Sequence, residues 1–240
     1  MALSPDTEWV IVSCGLIAHA DGVLDGEECE RLLTMLDDEL DGDAYSEWLG
    51  LVSDREGLEQ RFEQLPVPAA HLHRDLLEQA WNMAMVDGDR CEAEVEALHK
   101  IAAKLGVEGV QLDFWREAWT TSEHNFSEQT ALAAARVLGG GQPLVGDDAK
   151  LIAALVDVLP TTDEHRDVLR ETVPGEDEGS LGRALAAQPR KARIRLLRLV
   201  APLVVEAVDQ AGSRDRFNQF ASGAGIPQYE VERIMQRAHA

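Results

Sequence analysis

The sequence predicts an all-α protein on three observations. Apolar residues recur at three- and four-residue steps in nine segments, no period-2 alternation competes with them, and glycine, proline and aspartate fall between the segments.

The first segment, residues 9–20, stops at Asp21-Gly22. The second, 29–40, follows Asp25-Gly26-Glu27-Glu28, where Asp25 and Glu28 have capping-box spacing, and it ends at Asp41-Gly42-Asp43. A helix over 48–65 is closed by Pro66-Val67-Pro68. The helix over 69–86 closes on Asp87-Gly88, and that over 95–105 opens after Glu94 and stops at Gly106 and Gly109. In the second half, 126–138 runs into Gly139-Gly140-Gly141-Gln142-Pro143, and 150–159 precedes Thr161 and Glu164, another capping-box spacing. After Pro174-Gly175-Glu176-Asp177-Glu178-Gly179 the pattern resumes over 191–208, behind Pro189, and closes with 229–238. The glycine run with its proline reads as a linker, dividing a helical domain over 1–139 from a second over 144–240. All five tryptophans precede it.

Composition narrows the class. With 45% apolar and 28% charged residues, 240 residues suffice for one or two globular domains with real cores. No secretory signal is expected, since residues 1–8 and the apolar stretch after them lack a basic flank. The apolar run 199–208 is broken by Pro202 and Glu206, so no transmembrane segment is expected. Cys14, Cys29 and Cys91 are odd in number and form no C-x-x-C pair, which points to reduced thiols and a cytoplasmic setting. The net charge is -22 and lies unevenly: residues 1–120 hold 8 bases and 27 acids, residues 121–240 hold 14 and 17. An acidic surface of this kind is no partner for nucleic acid; cations, basic proteins or a second copy of the chain remain.

The first half writes one phrase twice, Asp21-Gly22 with Glu28 and Asp87-Gly88 with Glu94, each a D-G-x5-E at a junction between helices. Two such helix–loop–helix units packed together would gather carboxylates whose repulsion invites a cation. Capping is the competing account. Asp25 and Glu28 serve a helix start without any metal, at about 1 kcal/mol, but capping leaves the Asp-Gly pairs unused, and Cys91 stands in the second copy where a capping aspartate would be. An EF-hand loop is excluded, because its first and third ligand positions would be Ile17 and His19, or Met83 and Met85. The second half reads as a worn copy, in which Asp157 is followed by Val158 and Glu164, and Asp209 by Arg216 at the glutamate position.

The stretches from Ala18 to Glu28 and from Met83 to Gly88, with Glu94, Leu98, Ile101-Ala102 and Leu105-Gly106-Val107, resemble the TerB-like proteins of bacterial tellurite-resistance and chemical-stress operons, a domain also present in some J-domain co-chaperones. The resemblance covers the first 120 residues and extends faintly beyond. It implies an all-helical fold with an internal two-fold repeat and an acidic cluster for divalent cations. Carried over by motif position, the ligands are Asp21, Asp25, Glu28, Asp87 and Glu94, with calcium, magnesium or manganese as the fitting ions.

Other constellations carry less. Glu96-Ala97-Leu98-His99 has di-iron spacing but no second copy. His71 and His73, two apart, share no helical face and read as solvated surface. Cys29 and Cys91 could approach one another near the acidic cluster. No nucleophile–base pair, phosphate loop or nucleotide fingerprint occurs, so no enzymatic activity is expected. One basic block, from Arg190 to Arg198, could dock on the acidic first half, meet an acidic partner or lie on anionic lipid; a contact within the chain or in an oligomer is expected, with a solvated basic face as the alternative. The expected function is a non-enzymatic divalent-cation-binding protein of stress-response type; the alternative is a helical scaffold whose acidic surface recruits a basic partner without metal.

Overall fold

The structure, a computed structural model, describes residues 3–37, 39–86, 90–171, 175 and 177–239. Thirteen α-helices and one 3-10 turn account for the described secondary structure, which contains no strand. No helix among the described residues is long and apolar enough to cross a membrane. The chain forms two compact units, Met1–Thr120 and Thr121–Ala240.

Unit 1 is built around α1 (Pro5–Ala18). Ser4 starts it by accepting the Thr7 amide (3.1 Å), and Pro5 takes a first-turn position whose amide no helix bond needs. Nine of its residues are buried, from Trp9 to Ala18, and it packs on helices from both halves of the unit. Those neighbours are α2 (Gly26–Asp37), α3 (Gly42–Val52), α4 (Arg55–Gln64), α5 (His73–Met83) and α6 (Glu92–Lys104). The expected single helix over 48–65 is two, because Asp54 turns the chain at residue 54 and its carboxylate accepts the Glu56 amide (3.2 Å) to start α4. The 3-10 turn Ala70–Leu72 precedes α5, and His73, read as solvated, is half-buried with Nε2 3.0 Å from the Pro68 carbonyl.

The long helix α7 (Gly109–Gly139) gives Leu112 and Trp119 to the first core and Ala131, Ala134, Val137 and Leu138 to the second. The division at residue 120 therefore differs from the expected linker at 139–143. Gly140 and Gly141, at φ 58° and 87°, instead end α7 in a left-handed turn inside unit 2.

Unit 2 continues through α8 (Asp147–Asp157), α9 (Asp163–Arg170), α10 (Glu178–Ala186), α11 (Arg190–Glu206), α12 (Gln210–Gly223) and α13 (Gln228–Ala238). Helices α9, α10 and α12 escaped the periodicity reading, since α9 buries only Arg166 and Leu169, while Gly182 in α10 and Gly212 and Gly223 in α12 leave gaps in the apolar spacing. Two of those glycines let backbones touch: a Cβ on Gly182 would lie 2.3 Å from the Phe220 carbonyl oxygen and 2.9 Å from Gly223 Cα. Thr161 was expected to cap α9; Thr162 holds that position and Thr161 is buried.

Two tests follow from this packing. Gly182→Ala has no flexible side chain to displace and is expected to destabilise by about 2 kcal/mol or more in chemical denaturation. Gly50→Ala, in α3 with open space around it, should stabilise by about 0.5–1 kcal/mol. Cys14 supplies the second. Burial pushes its thiol up to about 12 from 9.0, against a smaller opposing pull from Arg31. The folded thiol keeps its proton while the unfolded chain loses it above pH 9. Stability should thus fall as pH rises from about 9 to about 12, and urea midpoints of Cys14→Ala should show a shallower alkaline decline than wild type.

Candidate metal centre

Unit 1 brings the ends of α1 and α5 together. Helix α4 runs back along α1: Leu58 faces Gly15, Phe62 meets Trp9 edge-on with centroids 5.6 Å apart, and Arg61 pairs with Glu8. It therefore ends beside the start of α1, where the Trp9 indole donates to the Pro66 carbonyl (2.7 Å). Helix α5 sets out from there and reaches Cys14, whose Sγ lies 3.8 Å from the Gln79 carbonyl. Helices α1 and α5 thus advance together, and the loops after Ala18 and Met83 leave from the same end.

The first of those loops is held by its own backbone. Gly22 has φ 90°, a conformation that a side chain would strain, and its amide donates to the His19 carbonyl (3.1 Å). Asp21 Oδ1 accepts the Val23 amide (2.8 Å), and His19 Nε2 lies 2.9 Å from the Val52 carbonyl. Asp-Gly is thus a turn device in addition to whatever else it does. At the start of α2 the capping box is complete: Asp25 Oδ1 accepts the Glu28 amide (2.8 Å) and Glu28 Oε2 accepts the Asp25 amide (3.2 Å). Arg55 stands near the turn, its Nη1 4.0 Å from where a Gly22 Cβ would be.

Asp87 and Gly88 lie outside the described residues. Beyond them Cys91 occupies the N-cap of α6, and Glu94 Oε2 accepts its amide (2.7 Å), as Glu28 does for Asp25. Burial and the adjacent Glu94 carboxylate raise the Cys91 thiol above its usual range. Arg90 folds back so that its guanidinium sits 3.7 Å from the Trp81 ring centroid and donates to the Trp81 carbonyl (3.1 and 3.2 Å).

Of the expected ligands, Asp21 is exposed, Asp25 half-buried, and Glu28 and Glu94 are both only 6% exposed. Each of these four accepts a backbone amide. Among the described residues no group of three or more His, Cys, Asp or Glu side chains is disposed to hold a metal.

The corresponding places in unit 2 are answered by arginines. Arg170 reaches Asp157 at 2.5 Å and Asp167 at 2.6 Å. Arg216 lies 3.6 Å from Asp209 and donates to the Val137 and Leu138 carbonyls (2.6 and 2.7 Å), where its charge suits the C-terminal end of α7. The sequence marked Arg216 as an inverted charge; nothing in the pattern marked Arg170, which reaches Asp157 across thirteen residues.

Capping makes a measurable claim on the glutamates. Glu28→Ala and Glu94→Ala should each lose about 1 kcal/mol or more in metal-free denaturation, while Glu28→Gln and Glu94→Gln, which still reach the cap amide, should lose clearly less. Equal losses for alanine and glutamine would assign the carboxylate charge itself a structural role.

No curated protein and no solved structure is a match for the chain. Residues 7–117 match the family model described as tellurite resistance protein TerB. That span takes in most of α1, all of α2 to α6 and the start of α7, so unit 1 is similar to the TerB family over nearly its whole length.

Proposed function

We propose that this protein is a non-enzymatic, cytoplasmic, divalent-cation-binding member of the tellurite-resistance and chemical-stress type, with Asp21, Asp25, Glu28, Asp87 and Glu94 as its ligand set. The observation that supports the reading is the common direction of α1 and α5, which brings the ends of these two helices to one end of unit 1, together with the burial of Glu28 and Glu94 at the starts of the helices that follow. Burial of a carboxylate favours a neutralising cation, and oxygen donors suit calcium, magnesium or manganese. Capping does not compete for the whole carboxylate. Each group offers about four lone-pair sites, and an amide takes one. In unit 2, read as a worn copy, Arg170 and Arg216 supply positive charge to Asp157 and Asp209, so the cation requirement is confined to unit 1.

One specific observation favours the alternative of a metal-free helical scaffold for a basic protein partner or a second copy: Asp21, Asp25, Glu28 and Glu94 all have backbone roles. Thermal melting with calcium, magnesium, manganese or EDTA separates the two. A bound ion at a hundredfold excess over its Kd should stabilise by about 2.7 kcal/mol, and Asp21→Asn or Asp87→Asn should each abolish that gain. Identical wild-type melts in every condition would leave the scaffold.

A further inference from the structure

Unit 2 carries a basic groove of its own. Helices α11 and α13 flank an open depression of about 570 Å³, with Arg190, Lys191, Arg195, Arg198 and Arg233 around it and the apolar Ile194 and Leu199 in its lining. Lys191, Arg195 and Arg198 follow one another at four- and three-residue steps and so share one face of α11. All five cations are exposed, whereas Arg193, two residues from both Lys191 and Arg195 and so on another side of the helix, donates to the Ala224 carbonyl (2.7 Å).

The groove is also built from beneath. Glu230, only 3% exposed, pairs with Arg190 and lies 3.5 Å from Arg233, so one buried carboxylate anchors a guanidinium from each helix. On the other side the Arg195 guanidinium lies over the Phe126 ring, 4.6 Å from its centroid. Glu230 is the one acid among the described lining residues, so the lining carries five positive charges and one negative. Residues 121–240 hold 14 bases and 17 acids in all, which leaves 9 bases and 16 acids for the rest of the unit. The positive charge is therefore gathered here against the trend of the whole chain.

We infer that this groove binds a compact, soluble polyanion of the phosphate class, a polyphosphate or a phosphate ester with a small apolar part. Charge and size together select it. A chain of net charge -22 repels an extended acidic partner, but screening acts over about 8 Å at physiological salt, so an anion small enough to stay within the groove is governed by the local cations, any charge beyond that distance being screened. Guanidinium groups match phosphate oxygens two at a time, and the volume lies in the range of small-ligand sites. The apolar lining has room for a non-phosphate portion.

Isothermal titration of the full chain with sodium tripolyphosphate, in EDTA-containing buffer at matched ionic strength, tests the inference without interference from metal. Saturable one-to-one binding is expected, at least tenfold weaker in Lys191→Glu/Arg198→Glu and unchanged in Arg237→Glu, an exposed cation of α13 outside the groove. Circular dichroism checks that the variants fold. Arg198→Gln alone, which keeps a polar side chain, should weaken binding several-fold if the double variant does not fold. Absence of saturable heat overturns the inference, as does equal weakening by Arg237→Glu. Co-sedimentation with phosphatidylglycerol vesicles forms the second arm: capture by vesicles without tripolyphosphate binding would place the anion in a membrane and overturn a soluble ligand.

Discussion

The burial of α1 is the constraint on which unit 1 depends. A helix with Trp9, Ile11, Val12, Cys14, Leu16 and Ile17 inside the core has no face to give to water, so the chain must wrap it. Helices α2, α4, α5 and α6 all pack on it. Because α4 returns along α1 and α5 starts where α4 ends, the path of the wrapping fixes where the acidic loops emerge. The polar groups of α1 are then confined to its ends: Ser4 caps one, and His19 with the Asp21-Gly22 turn closes the other.

Capping and the proposed cation binding would draw on the same carboxylates, and the two are compatible. A box such as Asp25–Glu28 sets the distance and rotamer of a buried glutamate, which would lower the entropy lost on binding the proposed ion. Cys91 holds the equivalent place before α6 and supplies its amide to Glu94, so the glutamate is positioned there although the capping aspartate is gone. Unit 2 meets a comparable electrostatic demand with its own side chains. Arg170 at Asp157 and Arg216 at Asp209 need no free ion, and Arg216 at the same time satisfies carbonyls at the end of α7.

The second unit owes its form to a different contact. Gly182 and Gly223 let the backbones of α10 and α12 approach to a distance that no Cβ would permit, and Arg136 pairs with Glu178 at 3.1 Å where α10 begins. Helix α11, buried through Leu196, Leu197, Val200 and Ala201, leaves its Lys191–Arg195–Arg198 face outward. Density of charge in the sequence thus becomes a directed surface: Arg190 is held by Glu230, Arg193 is used on the Ala224 carbonyl, and the remaining cations face the groove.

The sequence by itself determined the all-α class, most helices, the Asp25–Glu28 cap and the resemblance to TerB, because helical periodicity, turn residues and capping spacing act over a few neighbouring residues. It left α9, α10 and α12 unread and set the division at the glycine run, since a glycine that ends a helix and one that admits a neighbouring backbone look alike along the chain. Thr161 and Thr162 differ by one residue, and burial chose between them. The backbone role of Asp21-Gly22, the arginines that answer Asp157 and Asp209, and the anchoring of Arg190 and Arg233 on Glu230 were decided only by tertiary structure. Each of those depends on groups brought together, or on a backbone angle imposed, by packing against the cores, and pairwise contact between distant segments leaves no period in a single sequence.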